Sequence, residues 1–565
     1  MKYLFATIFA LLVLASVVTQ AYLPDHRSGV PLIYWVTDAN PARIDQIRLF
    51  HLWQLKNGHY DTHDMASASD ARKYLERLSP PLRGAVVESQ PALGKILATD
   101  SDEVPGVSFP ITLRTPKGEA RVDSANSDQT KRIIQGVSGV GGDVMDMWSG
   151  GGMRFFDSMA LIMDVTDDAR RMGFGLDQTY PALATELTLP TANGLRQFQF
   201  PCNVVASMYI VNKEAFERFG QPLPPTRWTL DEFETRGKAY VSAANKPGER
   251  RKFCFAEGVP PDQLRRSIGV SEFNETGTLC RLDDERNARL YERVKKWTEV
   301  DRILPSGSDR ESFATDSGYG GAGTQLFNNG NYAMVFTGRY MLIQYRKFNI
   351  ERVKQGRSPM KLTVVEAPHG GFPNTNMSTR AATVYAGSPH PEIAKLFLAF
   401  LASEDYNMQI VRDADSLPPN PKYTLVQEYL HPATDPAQGI YPETEDELHK
   451  PFADVALTIA LGASYSPFVL QATVQRIEDR HRQAFTNNQK TADQASRAIA
   501  REVNDEMLRT ANESPKLRAE YDRLLGVQKQ IDTLRAAGQK VPLSMITDPF
   551  HRAYYQHMGW AEVAQ

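Results

Sequence analysis

Two aspartates and a tryptophan stand between glycine clusters in Gly141 to Gly152, GGDVMDMWSGGG, a composition suited to a phosphate cradle, a metal loop or the rim of a pocket. A phosphate loop of the G-x-x-x-x-G-K-[ST] kind needs its lysine to reach the phosphates, and the chain has no such motif. A dinucleotide fingerprint must follow a strand and open a helix. Here Gly139, Gly141 and Gly142 precede the β-like VMDMW instead. An EF-hand needs alternating oxygen ligands and a closing glutamate, which Asp143 and Asp146 alone do not supply. H-E-x-x-H, G-x-S-x-G and C-x-x-C are also missing, so no catalytic residue, metal ligand or cofactor is assigned. Paired-carboxylate enzymes leave little local signature, so that class stays open. Asp146 and Trp148, at the carboxyl end of a buried strand, could offer a hydroxyl acceptor beside a flat ring. The plainer alternative puts Trp148 in the core and makes Asp146 a helix cap.

The elements that must position such residues read as α/β. VPLIYWVTD is a short strand, and ANPARIDQIRLFHLWQLKNG is a helix with Asn40 as N-cap, Pro41 in its first turn and Gly58 closing it. Residues 60–117 scatter prolines and glycines and read as an insertion with its own short elements. Strand, helix, glycine turn and strand resume through EARVDSANSDQTKRIIQGVSGVGGDVMDMW. Thr229 and Glu232 form a capping box. Ile393, Leu396, Phe397, Phe400 and Leu401 mark one face of a strong amphipathic helix. Beyond Ser466-Pro467 the chain reads as helical to about Leu525, then one more helical pattern around Ile531 and Leu534, then an aromatic tail.

The 565 residues exceed one small core and predict two or more lobes. A net charge of -3 without a long basic run excludes the electrostatic footprint of nucleic-acid binding. MKYLFATIFALLVLASVVTQA has the layout of an export signal, with Thr19-Gln20-Ala21 as cleavage site; if retained, it would be an anchor. No cysteine follows it for lipid attachment, so a soluble extracytoplasmic protein is expected. Of three cysteines, Cys202 reads as a buried thiol, while Cys254 and Cys280 share a loop-rich region as a candidate disulfide pair.

The order of IYWVTD, GVSGVGGDVMDMW, MRFFDSMALIMDVTD, FQFPCNVVASMYIVNKEAFERFG, PLPPTRWTLDEF, FNNGNYAMVFTGRYM, VVEAPHGG and PHPEIAKLFLAFLASEDYNMQIV resembles the extracellular solute-binding proteins of ABC transporters. The resemblance is to the sugar-binding family that includes maltose-binding protein, and it spans roughly Pro31 to Leu525 less the insertion. It implies an α/β, two-lobed periplasmic-binding-protein fold of type II, with several hinge crossings and a helical C-terminal part. The expected division is a signal at 1–21, an N-terminal lobe of 28–165 and 366–425 carrying the insertion, a C-terminal lobe of 166–365 and 426–525, and a tail at 526–565. It implies a monomer that captures a sugar or oligosaccharide and delivers it to membrane permease subunits, with no cofactor. The ligand-binding positions it implies are Trp35, Thr37 and Asp38, Asp146, Met147 and Trp148, Asn203, Val205 and Ser207, Arg339 and Tyr340, Phe372 and Asn376, and Tyr465 and Phe468. Trp35 and Tyr340 have a core alternative, Asp38 a cap, and Arg339 an ion pair. The rival functions are an exported carbohydrate-active enzyme using Asp38 and Asp146, and a two-lobed sensor or scaffold.

Overall fold

The computed structural model describes residues 29–125, 129–148, 152–191, 194–248, 251–313, 321–432 and 447–562. The export signal at 1–21 lies outside the described residues.

A six-stranded sheet runs Ala460–Leu461, Thr375–Val384, Val144–Trp148, Leu32–Val36, Glu119–Asp123, with Gln199–Ala206 also paired to Thr375–Val384. Leu32–Val36 is parallel to both neighbours, whereas Thr375–Val384 runs antiparallel to Val144–Trp148 and to Gln199–Ala206. Helices Ala42–Lys56 and Pro391–Ala402 cover one face, where Trp35, Phe50, Phe397 and Phe400 pack around Ile33 and Val144. Asn40 caps the first of these as expected, its side-chain oxygen accepting from the Ala42 N–H at 3.0 Å. On the other face lie Met145, Met147, Phe156, Phe198 and Tyr385.

The second sheet has Met208–Asn212 between Met334–Thr337 and Leu362–Val365, antiparallel to both. Strand alternation divides its side chains. Met208 and Ile210 enter one core, and Tyr209 and Val211 enter another with Trp228, Phe233 and Trp297. The chain passes from the first sheet to the second at Ser207, returns through 366–374, and leaves again after Ala460–Leu461 for the helical region. This is the two-lobed, multiply crossed α/β architecture expected from the sequence.

The insertion is a ribbon, Tyr60–Met65 against Ile111–Pro116, and three helices around a small core of Leu75, Leu82, Val86, Leu93, Ile96 and Leu113. At the far end, Gln471–Thr486, Ala492–Ala511 and Pro515–Ala536 form the helical part. Ile531 and Leu534 belong to that third helix, not to a separate one, because no proline or glycine stop separates them from Pro515 except the tolerated Gly526. The aromatic tail folds as helix Pro549–His557 between short parallel strands Val541–Pro542 and Ala561–Glu562. No helix among the described residues is long and apolar enough to cross a membrane.

The expected Cys254–Cys280 pairing is not formed: all three cysteines are free and buried. Cys254 belongs to the core beneath the second sheet, and Cys280 to the core of the C-terminal helices. Two thiols in separate cores cannot meet without moving backbone.

Candidate functional site

The strand ends singled out in the sequence come together, but as a sealed charge network. Trp35 and Asp146 are wholly buried, and the indole Nε1–H donates to Asp146 Oδ1 at 2.6 Å. The Thr37 hydroxyl and the Arg380 guanidinium (2.6 Å) donate to Oδ2, and the Cys202 thiol lies 3.4 Å from Oδ1. Arg132 donates to the Asp146 carbonyl. Asp38 is ion-paired with Arg43 at 2.8 Å, Arg43 with Asp415 at 2.7 Å, and Arg380 lies 3.8 Å from Asp415. Burial raises the Asp38 carboxyl, but the hydrogen bond and charge of Arg43 outweigh it and hold the group below its ordinary value. Every oxygen of Asp146 is spoken for by this protein, so it has little capacity left for a ligand. Met147 faces the other side and accepts from Gln199 at 3.3 Å. Trp148 ends the strand opposite Arg380, and its side chain lies outside the described residues.

The alternation expected for Asn203, Val205 and Ser207 is present: Phe200, Cys202, Val204 and Ala206 fill cores, and the three odd positions do not. Asn203 is nonetheless buried, and no hydrogen bond reaches its Oδ1 among the described residues. Val205 meets Tyr340 over Gly338, where a Cβ would come within 2.7 Å of Val205 and 3.0 Å of the Tyr340 ring. Val205 and Ser207 are half-buried and Tyr340 is exposed.

Arg339, Phe468, Phe372 and Asn376 are held by partners within the protein. Arg339 is 1% exposed and donates to His449 Nδ1 (2.9 Å) and to the carbonyls of Ser416 (2.8 Å) and Val411 (3.0 Å), with its guanidinium 4.5 Å over Tyr429. Phe468 is core, edge-on to Tyr521. Phe372 is covered by the tail, its ring 5.8, 5.3 and 5.0 Å from Phe550, Tyr554 and His557. Asn376 accepts from Arg266 at 3.1 Å and donates to Asp262.

Tyr465, also among the expected residues, opens on a cavity. This cavity, of about 370 Å³, lies between helix Pro261–Ser267, the segment 463–465 and helix Gln471–Thr486. Gln471, Gln475, Glu478 and Arg482, spaced four, three and four residues apart, line it from one helix face. Asp262, Arg265, Arg266 and Glu272 line the other side. Arg265 donates to Glu478 at 2.6 Å, Tyr291 donates to the same oxygen at 2.9 Å, and Gln471 donates to Glu272 at 3.0 Å. Arg266 is fixed by the Gly462 carbonyl at 2.6 Å and Ser464 Oγ at 3.2 Å. Burial pushes the Glu272 carboxyl up to about 7, opposed by Arg265 and aided by Glu478. Burial also raises Glu478, but Arg265 wins and holds it below its ordinary value. The result is a set of planar donors and acceptors in which Arg265, Arg266, Glu272, Glu478 and Gln471 are fixed at one edge, with the exposed Gln475 beside them. Sequence reasoning missed most of it because its walls come from segments about two hundred residues apart. The inward polar face of Gln471 to Arg482 was the available signal.

Residues 116–408, just over half of the chain, match the family of bacterial extracellular solute-binding proteins, and the chain belongs to that family. No curated protein matches it in sequence. Among solved structures it is similar to an ABC substrate-binding protein from Listeria monocytogenes in complex with cycloalternan (TM-score 0.59, 15% identity, 85% of this chain and 99% of that one). It is also similar to a solute-binding protein from Thermotoga lettingae bound to α-D-tagatose (TM-score 0.57, 12% identity, 84% and 100% covered). A maltose-bound T. maritima protein follows (TM-score 0.54, 16% identity, 84% and 100% covered). At such identities these likenesses carry the fold.

Proposed function

We propose that the protein captures a sugar or oligosaccharide outside the cytoplasm and delivers it to the membrane subunits of an ABC transporter. The observation that carries the reading is the cavity of Asp262, Arg265, Arg266, Glu272, Gln475 and Glu478 in a chain of the solute-binding family. Carboxylates, amides and guanidinium groups fixed on their far side suit a ligand rich in hydroxyls, and the Tyr465 ring offers an apolar face. The sugars in the similar structures support the choice of ligand class.

The lobes are taken to follow the two sheets, joined at Ser207, at 366–374 and after Leu461, whereas the division expected from the sequence changed lobe at 165/166, 365/366 and 425/426. Both walls of the cavity, 261–272 and 463–482, belong to one lobe, so a solute seated there makes only part of its contacts until the other lobe closes over it, and binding favours the closed arrangement. Capture and release need no covalent step. Asp38 and Asp146 do not face each other across open space as a catalytic pair needs; both are tied to arginines. This favours binding over the carbohydrate-active enzyme.

The test is isothermal calorimetry with a panel of mono- and oligosaccharides, paired with small-angle scattering of free and loaded protein. Saturable binding with a smaller radius of gyration is expected. If every sugar fails to bind and the scattering curve stays unchanged, the reading is wrong.

A further inference from the structure

A second and larger cavity, about 790 Å³, adjoins the polar one and shares Pro261, Asp479 and Arg482 with it. Its chemistry is different. Leu290 and Val294 from helix Glu285–Glu299, Leu264 from the short helix beside the polar cavity, Leu304, and Phe336 from the second sheet form its walls. Val294 and Phe336 are half-buried, so part of their apolar surface faces the space. Charged ends are found among its lining as well: Lys295 is held by the Phe485 carbonyl (3.2 Å) and Asn488 Oδ1 (2.6 Å), and Arg482 by Asp479 (2.7 Å). Glu257, Tyr291, Glu299 and Arg310 also reach the lining, so donors and acceptors are present here too; what the first cavity lacks is the apolar group of Val259, Leu264, Leu290, Val294, Leu304 and Phe336. A hydroxyl-rich ring laid against that apolar group would lose water contacts it could not replace there, which is unfavourable. An apolar group would gain contact with surface that otherwise meets water.

We propose that this second cavity receives an apolar substituent carried on the solute whose polar part occupies the first. The preferred cargo is then a glycoside bearing an aryl or alkyl group, with Pro261, Asp479 and Arg482 at the junction between its two parts. This rests on the proposed sugar-binding function and narrows its substrate class. The two volumes fall in the range of small-molecule sites, and their shared residues make them adjacent compartments of one site.

The experiment compares each sugar that binds in three forms: free, as the methyl glycoside and as the p-nitrophenyl glycoside. Calorimetry at several temperatures gives affinity and heat capacity for each. The p-nitrophenyl form is expected to bind at least tenfold tighter than the methyl form, with a more negative heat-capacity change, because apolar burial has that signature. Val294→Asp, on the helix side of the cavity, is expected to remove the gain while leaving methyl-glycoside affinity within twofold. Phe336→Leu serves as a second variant with a milder loss, and circular dichroism confirms that both fold. Equal affinity and equal heat capacity for methyl and aryl forms overturn the inference and leave the sugar reading standing. So does a gain that neither variant reduces. Binding of no sugar in any form overturns both.

Discussion

Two clusters of carboxylates and arginines among the described residues differ in the room they leave for a guest. Around Asp146 the carboxylate oxygens are used up, with Trp35, Thr37, Arg380 and Cys202 surrounding them; Arg380 and Asp146 are both wholly buried, and Nε and Nη2 of Arg380 keep no hydrogen-bond partner among the described residues. Around Glu272 and Glu478 the same residue types are pinned at one edge and face a cavity at the other. The first cluster joins two strands of the first sheet to a helix, since Asp146 sits on Val144–Trp148, Arg380 on Thr375–Val384 and Arg43 on Ala42–Lys56. Spare hydrogen-bonding capacity beside open volume, and not residue type, separates a binding wall from a structural knot.

The comparison breaks most visibly at Asp146→Ala. Removing one partner of a buried pair leaves a charge poorly compensated, with an expected loss of about 3–5 kcal/mol in urea unfolding. If Asp146 were instead a ligand contact, affinity would fall and stability would hold. Gln475→Ala tests the other cluster: this side chain is exposed toward the cavity, and its truncation should leave stability within about 0.5 kcal/mol. Sugar affinity should drop roughly tenfold, the scale of one or two hydrogen bonds.

Acidity gives a third, smaller contrast. Burial raises both Glu272 and Glu186, each to about 7, and Glu186 accepts from the backbone N–H of Ala463 on the cavity wall. A carboxyl raised in the folded state holds its proton longer than the unfolded chain does. Its stabilising contribution is therefore complete below the unfolded value near 4.5 and is lost as pH rises through about 7. Melting temperatures followed from pH 4.5 to 8 should show a declining component that Glu272→Gln reduces. The smallest effect concerns the thiols: Cys202, Cys254 and Cys280 are free and buried. Reductant should leave the melting temperature unchanged, and a thiol reagent should count three sulfhydryls only after denaturation.

Much of the fold was legible because local rules and tertiary packing agree. The Thr229–Glu232 capping box formed, the helix from Pro391 buried Leu396, Phe397, Phe400 and Leu401 of the expected stripe, and the residues from 60 to 117 made short elements around a small core that Leu55 joins. The period of two placed Asn203, Val205 and Ser207 on the face away from the cores. The site was less legible. That Trp35 would donate to Asp146, 111 residues away, depends on which strands become neighbours, and no local pattern records it. Phe372 looked free in its loop because the ring partners that bury it lie at the other end of the chain. The cavity was hidden for the same reason, since charged residues on a helix read equally well as a solvated face.

The tail's hold on Phe372 has a mechanical consequence. Phe372 belongs to 366–374, one of the strips of backbone that must twist when one lobe swings toward the other. The helix that grips it is itself bolted down, with Glu275 accepting from Tyr555 and Arg535 and its carbonyl receiving the Thr547 N–H. Gly269 at φ +77 leaves no room for even a methyl group beneath Tyr554. The hinge therefore turns against a splint, and the stiffness of that splint is set by residues far from any sugar. Shaving Phe550 to alanine should loosen the swing, seen as faster solute release in stopped flow with the wall of the cavity unaltered.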